Sequence, residues 1–222
     1  MIKKAIKKIP YVYNKYLQYK IRKNWFSRAN NESDKHLELY WNDHGKVRKK
    51  LVDILDTLFI ENKTNDSSIL EFGSHVGTNL KLLSEKHDVE MYAIEPNVEA
   101  YEFLSKKLPF VHSYNFDDDK FIKANIPSGK VYISLINSVF YCMTPSRVKS
   151  VLNKLSKIST IIVIGDSMKC IDASVSNFNQ NPICYSHPYK KWLEEFGFTK
   201  FENIELTEGQ MQLDGYLIAK KY

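Results

Sequence analysis

Residues 69–79 of this chain read ILEFGSHVGTN, in which a short apolar run leads into a segment with glycines at positions 73 and 77. Glycine lets the backbone turn sharply and lets a ligand approach the main chain closely. The residues from Thr78 to Lys86 have helical spacing, and the amino end of a helix presents free N–H groups and a positive dipole to an anion. The pattern therefore predicts a strand, a glycine loop and a helix, with a binding site at the loop.

Strand and helix patterns alternate on either side of this loop. The other predicted helices cover residues 37–59, 98–107, 145–157 and 187–196, and the other predicted strands cover 91–94, 111–116, 131–136, 160–164, 201–206 and 215–219. Such alternation predicts a parallel sheet with helices on both faces. Only a turn separates the last two strands, so they are predicted to pair antiparallel. The expected fold class is α/β: a doubly wound, mostly parallel seven-stranded sheet with an antiparallel last strand.

The composition is that of a single globular domain, since 43% of the 222 residues are apolar. The three cysteines form no CxxC pair, which argues against a disulfide framework or a structural zinc site and favours a reduced, cytoplasmic compartment. No apolar run approaches the ~18 residues needed to span a bilayer. The N-terminus also lacks the continuous apolar segment of a secretory signal.

Basic charge is concentrated at the N-terminus. Residues 1–28 contain nine Lys and Arg and no Asp or Glu, whereas the remaining residues hold 23 basic and 26 acidic side chains. Apolar side chains recur there at helical spacing, which predicts a basic amphipathic extension over residues 1–34 ahead of a domain at 35–222. Two interpretations stay open: peripheral contact with an anionic membrane, or packing on the domain or on a second subunit of a homodimer. The mildly acidic body argues against nucleic acid as a partner.

Polar residues follow the predicted strands at their carboxyl ends, where ligands bind in open parallel sheets. Glu95 comes 24 residues after Glu71, close to the ~20 residues that separate a glycine loop from a ribose-binding acid in nucleotide folds. The acidic run from Asp117 to Asp119 follows the third strand and can accept a hydrogen bond from an adenine amino group. Asn137 follows the fourth strand at the mouth of the same site.

The segment Glu71-Phe72-Gly73-Ser74-His75-Val76-Gly77 resembles the first motif of class I S-adenosylmethionine-dependent methyltransferases, usually acidic-x-Gly-x-Gly-x-Gly, with His75 in place of the middle glycine. Glu95 matches the ribose-binding acid of that family. Asp117 is the best match for its adenine-binding acid, and Asp118 is the next. A helix that ends at Gly197 and is followed by two strands is similar to the family's C-terminal end. The resemblance covers residues 37–220 and implies a Rossmann-like methyltransferase fold.

The same resemblance implies an enzyme whose cofactor is S-adenosylmethionine. Residues 69–80 look most like small bacterial methylases of sugar and surface-polysaccharide biosynthesis, which implies O-methylation of a small-molecule or carbohydrate acceptor. Tyr40 and Trp41 look like the aromatic segment that such enzymes fold over the cofactor. The residues expected to bind the cofactor are Tyr40, Glu71, Gly73, Ser74, His75, Gly77, Thr78, Asn79, Glu95, Pro96, Asp117, Asn137 and Ser138.

Methyl transfer to oxygen benefits from a general base, and histidine titrates near neutral pH. His187 opens the last predicted helix, after an irregular insert at residues 168–186 that is expected to cover the acceptor. Asp166 stands just past the fifth predicted strand. These two residues are the candidate catalytic groups, with His187 first. Positioning alone is the remaining option, because the sulfonium donor is already reactive.

Other functions are weighed on the same residues. A nicotinamide-dependent enzyme is disfavoured, because Gly73, His75 and Gly77 do not form the Gly-x-Gly-x-x-Gly fingerprint. The lost middle glycine leaves room for a non-catalytic, methyltransferase-like scaffold that docks through the basic extension. An RNA methyltransferase is the third alternative, and it would show strong, salt-sensitive RNA binding.

Overall fold

The computed structural model describes residues 34–43, 45–61, 67–127, 131–173, 176–180, 183–210 and 213–222, together with Tyr16 and Tyr19. Apart from those two tyrosines, the predicted basic helices of residues 1–28 lie outside the described residues. None of the described helices is long and apolar enough to cross a bilayer.

Nine strands are found in the described part of the chain. They are β1 (Ser68–Phe72), β2 (Glu90–Ile94), β3 (His112–Tyr114), β4 (Val131–Asn137), β5 (Ser159–Asp166), β6 (Asn177–Gln180), β7 (Ile183–Ser186), β8 (Lys200–Gln210) and β9 (Leu213–Lys220). Seven of them form one sheet in the order β3-β2-β1-β4-β5-β9-β8, while β6 and β7 form a separate antiparallel hairpin. Strands β1 to β5 pair in parallel, and β9 pairs antiparallel with both β5 and β8. The predicted fold class is therefore confirmed.

Seven α-helices and one short 3₁₀ helix flank these strands in the described residues. They are α1 (Asp34–Trp41), α2 (Lys46–Glu61), α3 (Thr78–Ser84), α4 (Val98–Lys107), α5 (Asp118–Lys123), the 3₁₀ helix (Phe140–Cys142), α6 (Pro145–Ile158) and α7 (Tyr189–Glu195). Helix α5 is absent from the sequence prediction. It begins where Asp117 caps the amino end by accepting a hydrogen bond from Lys120 N at 2.9 Å.

The single helix predicted over residues 37–59 is wrong. The structure divides this segment into α1 and α2, and Asn42, Asp43 and Gly45 between them are not helical. Asp43 accepts a hydrogen bond from Gly45 N at 2.9 Å, and Asn42 Nδ2 donates to Glu38 O at 2.9 Å. Asn, Asp and Gly favour turns through such local hydrogen bonds and through their backbone freedom. The turn sequence outweighs the apolar periodicity on either side of it.

The predicted irregular insert and the predicted start of the last helix also need correction. The insert at residues 168–186 contains the hairpin β6–β7 rather than irregular chain alone. Helix α7 begins at Tyr189 with Pro188 at its N-cap, so His187 precedes the helix. Proline is tolerated there because its missing N–H would have no helical partner.

The sheet is buried on both faces, as the continuous apolar run in β5 predicts. Ile161 and Val163 pack with the cluster beneath α2 and α3, whereas Ile162 and Ile164 pack with the cluster beneath α6 and α7. This alternation follows from the two-residue period of a strand. With both faces covered, the carboxyl ends of the strands are the edge open to a ligand. The chain runs from β1 outward to β3 and then returns to β4 on the other side of β1, so the switch point lies between β1 and β4.

Candidate cofactor site

The loop after β1 requires glycine at two positions. Gly73 and Gly77 both have φ of 78°, in the left-handed region that residues with a Cβ rarely adopt. A Cβ on Gly73 would lie 2.4 Å from Val139 Cγ2, and one on Gly77 would lie 2.9 Å from Leu104 Cδ1. Both contacts are too short for a real side chain. The loop therefore passes close to the segment that follows β4.

His75 stands where the motif has a glycine, and its backbone adopts a left-handed conformation. Its φ is 49°, and histidine is among the residue types found in the left-handed region more often than most. The His75 N–H donates to Glu95 Oε2 at 2.6 Å, and its ring meets the Tyr40 ring edge-on with 4.6 Å between centroids. His75 thus takes a left-handed backbone conformation at the position where the motif has its middle glycine.

Glu95 is held at the carboxyl end of β2 by backbone groups. Its side chain is buried, and Oε1 accepts from Asn97 N at 2.8 Å while Oε2 accepts from His75 N. Asn115 Nδ2 donates to the Glu95 carbonyl at 2.9 Å. Each carboxylate oxygen can accept more than one hydrogen bond. The carboxylate is consequently fixed beside the glycine loop with capacity to accept from a ligand, and Pro96 lies exposed next to it.

Glu71 begins a series of polar contacts that runs from the buried end of β1 to the surface. The sequence indicates only some of its members. Its Oε1 accepts from Asn79 Nδ2 at 2.6 Å, Asn79 Oδ1 accepts from Arg48 Nη1 at 2.9 Å, and Arg48 pairs with Asp43 at 3.2 Å. Burial raises the pKa of Glu71 to about 8, opposed by the Asn79 hydrogen bond and by the charge of Arg48. Nothing in the sequence separates Arg48 from the three lysines around it, at positions 46, 49 and 50.

Several buried side-chain oxygens at this edge have no protein partner. Among the described residues, the buried side-chain atoms without a hydrogen bond are Glu71 Oε2, Ser74 Oγ, Glu99 Oε2 and Asn137 Oδ1. Three of the four belong to residues predicted to bind the cofactor. Glu71 and Asn137 lie on the same face of the sheet, because Glu71 pairs with Leu135 and Asn137 follows two residues later. An unpaired buried polar atom costs about 1–3 kcal/mol, so a ligand that forms hydrogen bonds with these atoms would gain binding free energy.

Helix α1 brings one of its two predicted aromatic residues to the loop. Thr78 Oγ1 donates to Tyr40 O at 2.8 Å, and the Tyr40 ring, 42% exposed, covers His75. Trp41 points elsewhere, since its ring packs against Phe103 with 5.9 Å between centroids. The structure therefore brings Tyr40 to the candidate site and leaves Trp41 outside it.

The acidic run after β3 divides into different tasks. Asp117 caps α5, whereas Asp118 forms an ion pair with Arg147, and Asp119 also reaches Arg147 at 3.1 Å. The ion pair between Arg147 and Asp118 ties the start of α5 to α6. Of the three acids, Asp117 therefore stays the candidate for the adenine amino group. No periodicity in the sequence indicates the pairing with Arg147, which is 29 residues away from Asp118.

His187 is fully buried, and both of its ring nitrogens contact protein groups. Its Nε2 lies 3.0 Å from the Phe140 carbonyl oxygen, and its Nδ1 lies 2.9 Å from Ser176 Oγ. Burial lowers the pKa of the imidazole to about 4, although the carbonyls of Phe140 and Met143 act in the opposite direction. In this arrangement, each nitrogen that could take a substrate proton is already hydrogen-bonded.

Asp166, the second candidate catalytic group, is also fully buried. Its carboxylate accepts from Tyr189 Oη at 2.9 Å and from Ser167 N at 2.7 Å, and the Tyr141 N–H donates to it as well. Burial raises the pKa of Asp166 to about 7 against these three hydrogen bonds. The structure thus brings Asp166 and His187 together around the 3₁₀ helix that follows β4.

Comparison with known proteins gives likeness in structure alone. No protein-family model matches this chain, and no curated protein matches it in sequence. The magnesium protoporphyrin IX methyltransferase of Synechocystis PCC 6803, with bound S-adenosylmethionine, matches with a TM-score of 0.62 and 12% identity, over 92% of this chain and 97% of that chain. Streptomyces venezuelae DesVI matches with a TM-score of 0.61 and 12% identity, over 86% and 100%.

A third match was determined in the presence of a sugar. The N-terminal domain of EvdMO1, solved in the presence of S-adenosylhomocysteine and D-fucose, has a TM-score of 0.57 and 12% identity, over 80% of this chain and 84% of that one. The chain therefore has the Rossmann-like fold of the class I S-adenosylmethionine-dependent methyltransferases.

Proposed function

We propose that this chain transfers a methyl group from S-adenosylmethionine to a hydroxyl of a small-molecule or carbohydrate acceptor. The observation that carries the proposal is the set of buried, unpaired oxygens of Glu71, Ser74 and Asn137 beside the glycine loop. All three are aligned at the switch point of a fold whose known members include methyltransferases with the cofactor bound. A native protein has few buried oxygens without a hydrogen bond. Hydrogen bonds to a bound ligand would explain why these three remain.

Each part of the cofactor has a candidate partner in this arrangement. The loop from Gly73 to Asn79 would hold the methionine part, Glu95 would accept from the ribose hydroxyls, and Asp117 would accept from the adenine amino group. Asn137 would lie beside the sulfonium. When bound, S-adenosylmethionine supplies a methyl group that is already activated by its positive sulfur. The protein's own task is then to orient the acceptor oxygen and exclude water, since proximity supplies much of the rate.

The acceptor class rests on the sequence resemblance of residues 69–80 to sugar and surface-polysaccharide methylases. The hairpin β6–β7 is the candidate cover for the acceptor, because Ser186 Oγ donates to Ser167 Oγ at 3.1 Å just past the end of β5. Residues 1–28 stay the candidate for contact with an anionic membrane or a second subunit. Vesicle co-sedimentation and sedimentation velocity, each comparing the full chain with a chain that lacks residues 1–28, would test those two roles.

The first experiment is calorimetric titration of the full chain with S-adenosylhomocysteine, repeated on Glu95→Gln. We expect micromolar binding by the wild type. In the variant, a side-chain NH₂ would face the backbone N–H of His75 or Asn97, so we expect a loss of about 1–3 kcal/mol, or about fivefold to 150-fold in affinity. Glu102→Gln is the matched control, because Glu102 is exposed on α4.

The outcome of that titration separates the candidate functions. No binding by the wild type would sink the enzyme proposal. Binding by the wild type, followed by methyl transfer from labelled S-adenosylmethionine to a sugar or sugar nucleotide in a panel of acceptors, would support it. Binding without transfer to any acceptor in the panel would favour the scaffold, and transfer to RNA with binding that falls steeply with salt would favour the RNA enzyme.

A further inference from the structure

The peptide group between Phe140 and Tyr141 is hydrogen-bonded to a buried side chain on each side. His187 contacts its carbonyl oxygen at 3.0 Å, and Asp166 accepts from its N–H. In a trans peptide these two groups point in opposite directions, so the contacts come from opposite sides of one peptide plane. Both gripping side chains are fully buried. Burying a polar side chain is unfavourable unless it is hydrogen-bonded. These contacts are therefore expected to hold both side chains in one position.

The hydrogen bonds of His187 fix its tautomer. A carbonyl oxygen can only accept, so Nε2 must carry the proton that it donates to Phe140 O. Nδ1 is then an acceptor, and Ser176 Oγ donates to it at 2.9 Å. Ser176 lies one residue before β6. One neutral imidazole therefore links the β6–β7 insert to the 3₁₀ helix that follows β4.

The gripped peptide controls the residues beside the candidate cofactor site. Two residues before it stands Ser138, whose φ of 57° is rare for serine and whose N–H donates to Gly165 O at 2.7 Å. Val139 fills the space that the absent Cβ of Gly73 leaves. Strained backbone of this kind persists only where surrounding contacts over-determine it, and the two grips on the Phe140–Tyr141 peptide supply such contacts.

We propose that His187 and Asp166 are positioning residues that clamp the Phe140–Tyr141 peptide, and that neither accepts the substrate proton. This inference rests on the proposed function for its consequence, because the clamp sets the position of Asn137 and Val139 beside the methyl donor. It replaces the sequence-based prediction that one of the two residues is a general base. Methyl transfer then depends on orientation and on the insert that Ser176 anchors to the clamp. As the methyl–oxygen bond forms and the methyl–sulfur bond breaks, the proton of the acceptor hydroxyl would leave to solvent.

The first test is spectroscopic and needs no ligand. In ¹⁵N-histidine-labelled full-length protein, the signal lost in His187→Gln identifies His187. We expect that signal to report a neutral ring with its proton on Nε2 at every pH from 5.5 to 8. A ring that titrates near pH 6.5, or one that carries its proton on Nδ1, would overturn the clamp.

The second test uses a pair of variants at position 187. A glutamine can still donate to the Phe140 carbonyl, whereas a leucine of similar bulk cannot. We expect amide exchange at Tyr141 to be at least tenfold faster in His187→Leu and within threefold of wild type in His187→Gln. S-adenosylhomocysteine affinity should fall about tenfold in the leucine variant only. Equal exchange rates and equal affinities in both variants would contradict the proposal.

The two proposals fail in different ways. If the wild type binds no S-adenosylhomocysteine, the proposed function fails, while the tautomer and the exchange rates still decide the clamp. If His187→Leu does not fold, the wild-type spectrum and the glutamine variant still decide it. A tautomer or exchange result against the clamp, with binding intact, would return His187 to the list of candidate bases.

Discussion

Gly73 and Gly197 have similar positive φ angles, but one is crowded by neighbouring side chains and the other is not. Gly73 has φ of 78° and Gly197 has φ of 88°. A Cβ on Gly73 would collide with Val139, whereas a Cβ on Gly197 would meet nothing within 4 Å. The pair therefore separates the cost of a left-handed conformation from the cost of crowding at the candidate site.

We expect Gly197→Ala to lower the free energy of unfolding by about 1–2 kcal/mol, the cost of a left-handed alanine. Gly73→Ala should lose that amount and about 1–3 kcal/mol more, because overpacking adds to the strain. Urea unfolding followed by tryptophan fluorescence measures both. Adding Val139→Ala to Gly73→Ala should recover part of the additional loss. Equal losses at the two glycines would show that the loop and the segment after β4 do not press on each other.

Glu71 makes stability depend on pH in a direction that can be stated in advance. Its pKa in the folded protein is about 8, above the ordinary value of 4.5, because burial disfavours the charged form. Between these two pH values the folded chain retains a proton that the unfolded chain has released. The free energy of unfolding therefore falls as the pH rises through this window.

Glu71→Gln keeps a neutral, hydrogen-bonding side chain at every pH and should remove this dependence. We expect the variant to match the wild type at pH 4.5 and to exceed its free energy of unfolding by about 2 kcal/mol or more at pH 8. Urea unfolding at both pH values and at pH 6.5 measures the difference. Asp166 titrates in the same direction, but its contribution cancels in the comparison. Glu102→Gln, an exposed change, should give a curve parallel to the wild type, and a parallel curve for Glu71→Gln would refute the assignment.

At the scale of elements, helix α1 is fastened to the glycine loop by one side-chain hydrogen bond and by ring contacts. Thr78 Oγ1 donates to the Tyr40 carbonyl, which also accepts from Asp43 N at 3.2 Å. Without the Thr78 hydroxyl, the Tyr40 carbonyl still accepts from Asp43 N. The change is therefore expected to weaken the packing of α1 on the glycine loop more than the helix itself.

We expect Thr78→Val to speed amide exchange in residues 34–41 about fivefold, as the loss of a net hydrogen bond worth about 1 kcal/mol predicts. Exchange measured by mass spectrometry on peptides from α1 checks this. Thr57→Val is the matched control, because Thr57 Oγ1 donates to Asp53 O within α2 and contacts no part of the loop. The same exchange rate in both variants would mean that the ring contacts alone hold α1.

The elements that the sequence predicts well are those whose signal is local. Strand β5 reads as a continuous β-branched run, and the loop from Gly73 to Gly77 combines turn residues with a helix start. The division of α1 from α2 is missed, because an apolar periodicity runs through residues 37–59 while only Asn42, Asp43 and Gly45 signal the turn. The hairpin β6–β7 is missed because its strands have four residues each and no apolar alternation.

Site residues divide in the same way. Glu95 directly follows β2 and Asn137 is the last residue of β4, so the strand ends read from the sequence locate both at the carboxyl end of the sheet. Arg48 reaches the site from α2 through Asn79, a contact over 31 residues that no spacing rule encodes. The sequence offers His187 and Asp166 as separate candidate bases, whereas the burial of His187 and its hydrogen bond to Phe140 depend on how β7 packs on the 3₁₀ helix. Tertiary packing, which a sequence pattern does not carry, decides which polar residues face a ligand.

For the whole molecule, charge and fold point to different surfaces. In the described body, Glu71, Glu95 and Asp117 lie at or just past the carboxyl ends of β1, β2 and β3. The excess of basic residues lies in residues 1–28. The carboxyl groups of Glu95 and Asp117 favour a positively charged sulfonium over a phosphate backbone, whereas Glu71, with its pKa raised to about 8, carries no charge at neutral pH. The distribution of charge thus agrees with a small acceptor better than with RNA.

The position of β9 between β5 and β8 has a consequence for the newborn chain. During translation, β5 and β8 are synthesised before residues 213–220. The edge of β5 therefore has no neighbouring strand until β9 has left the ribosome. An unpaired, β-branched edge is a template on which other chains can add. Strand β9 is therefore the one that covers the apolar edge of β5, and a nascent chain that stalls before residue 213 is the form most exposed to aggregation through that edge.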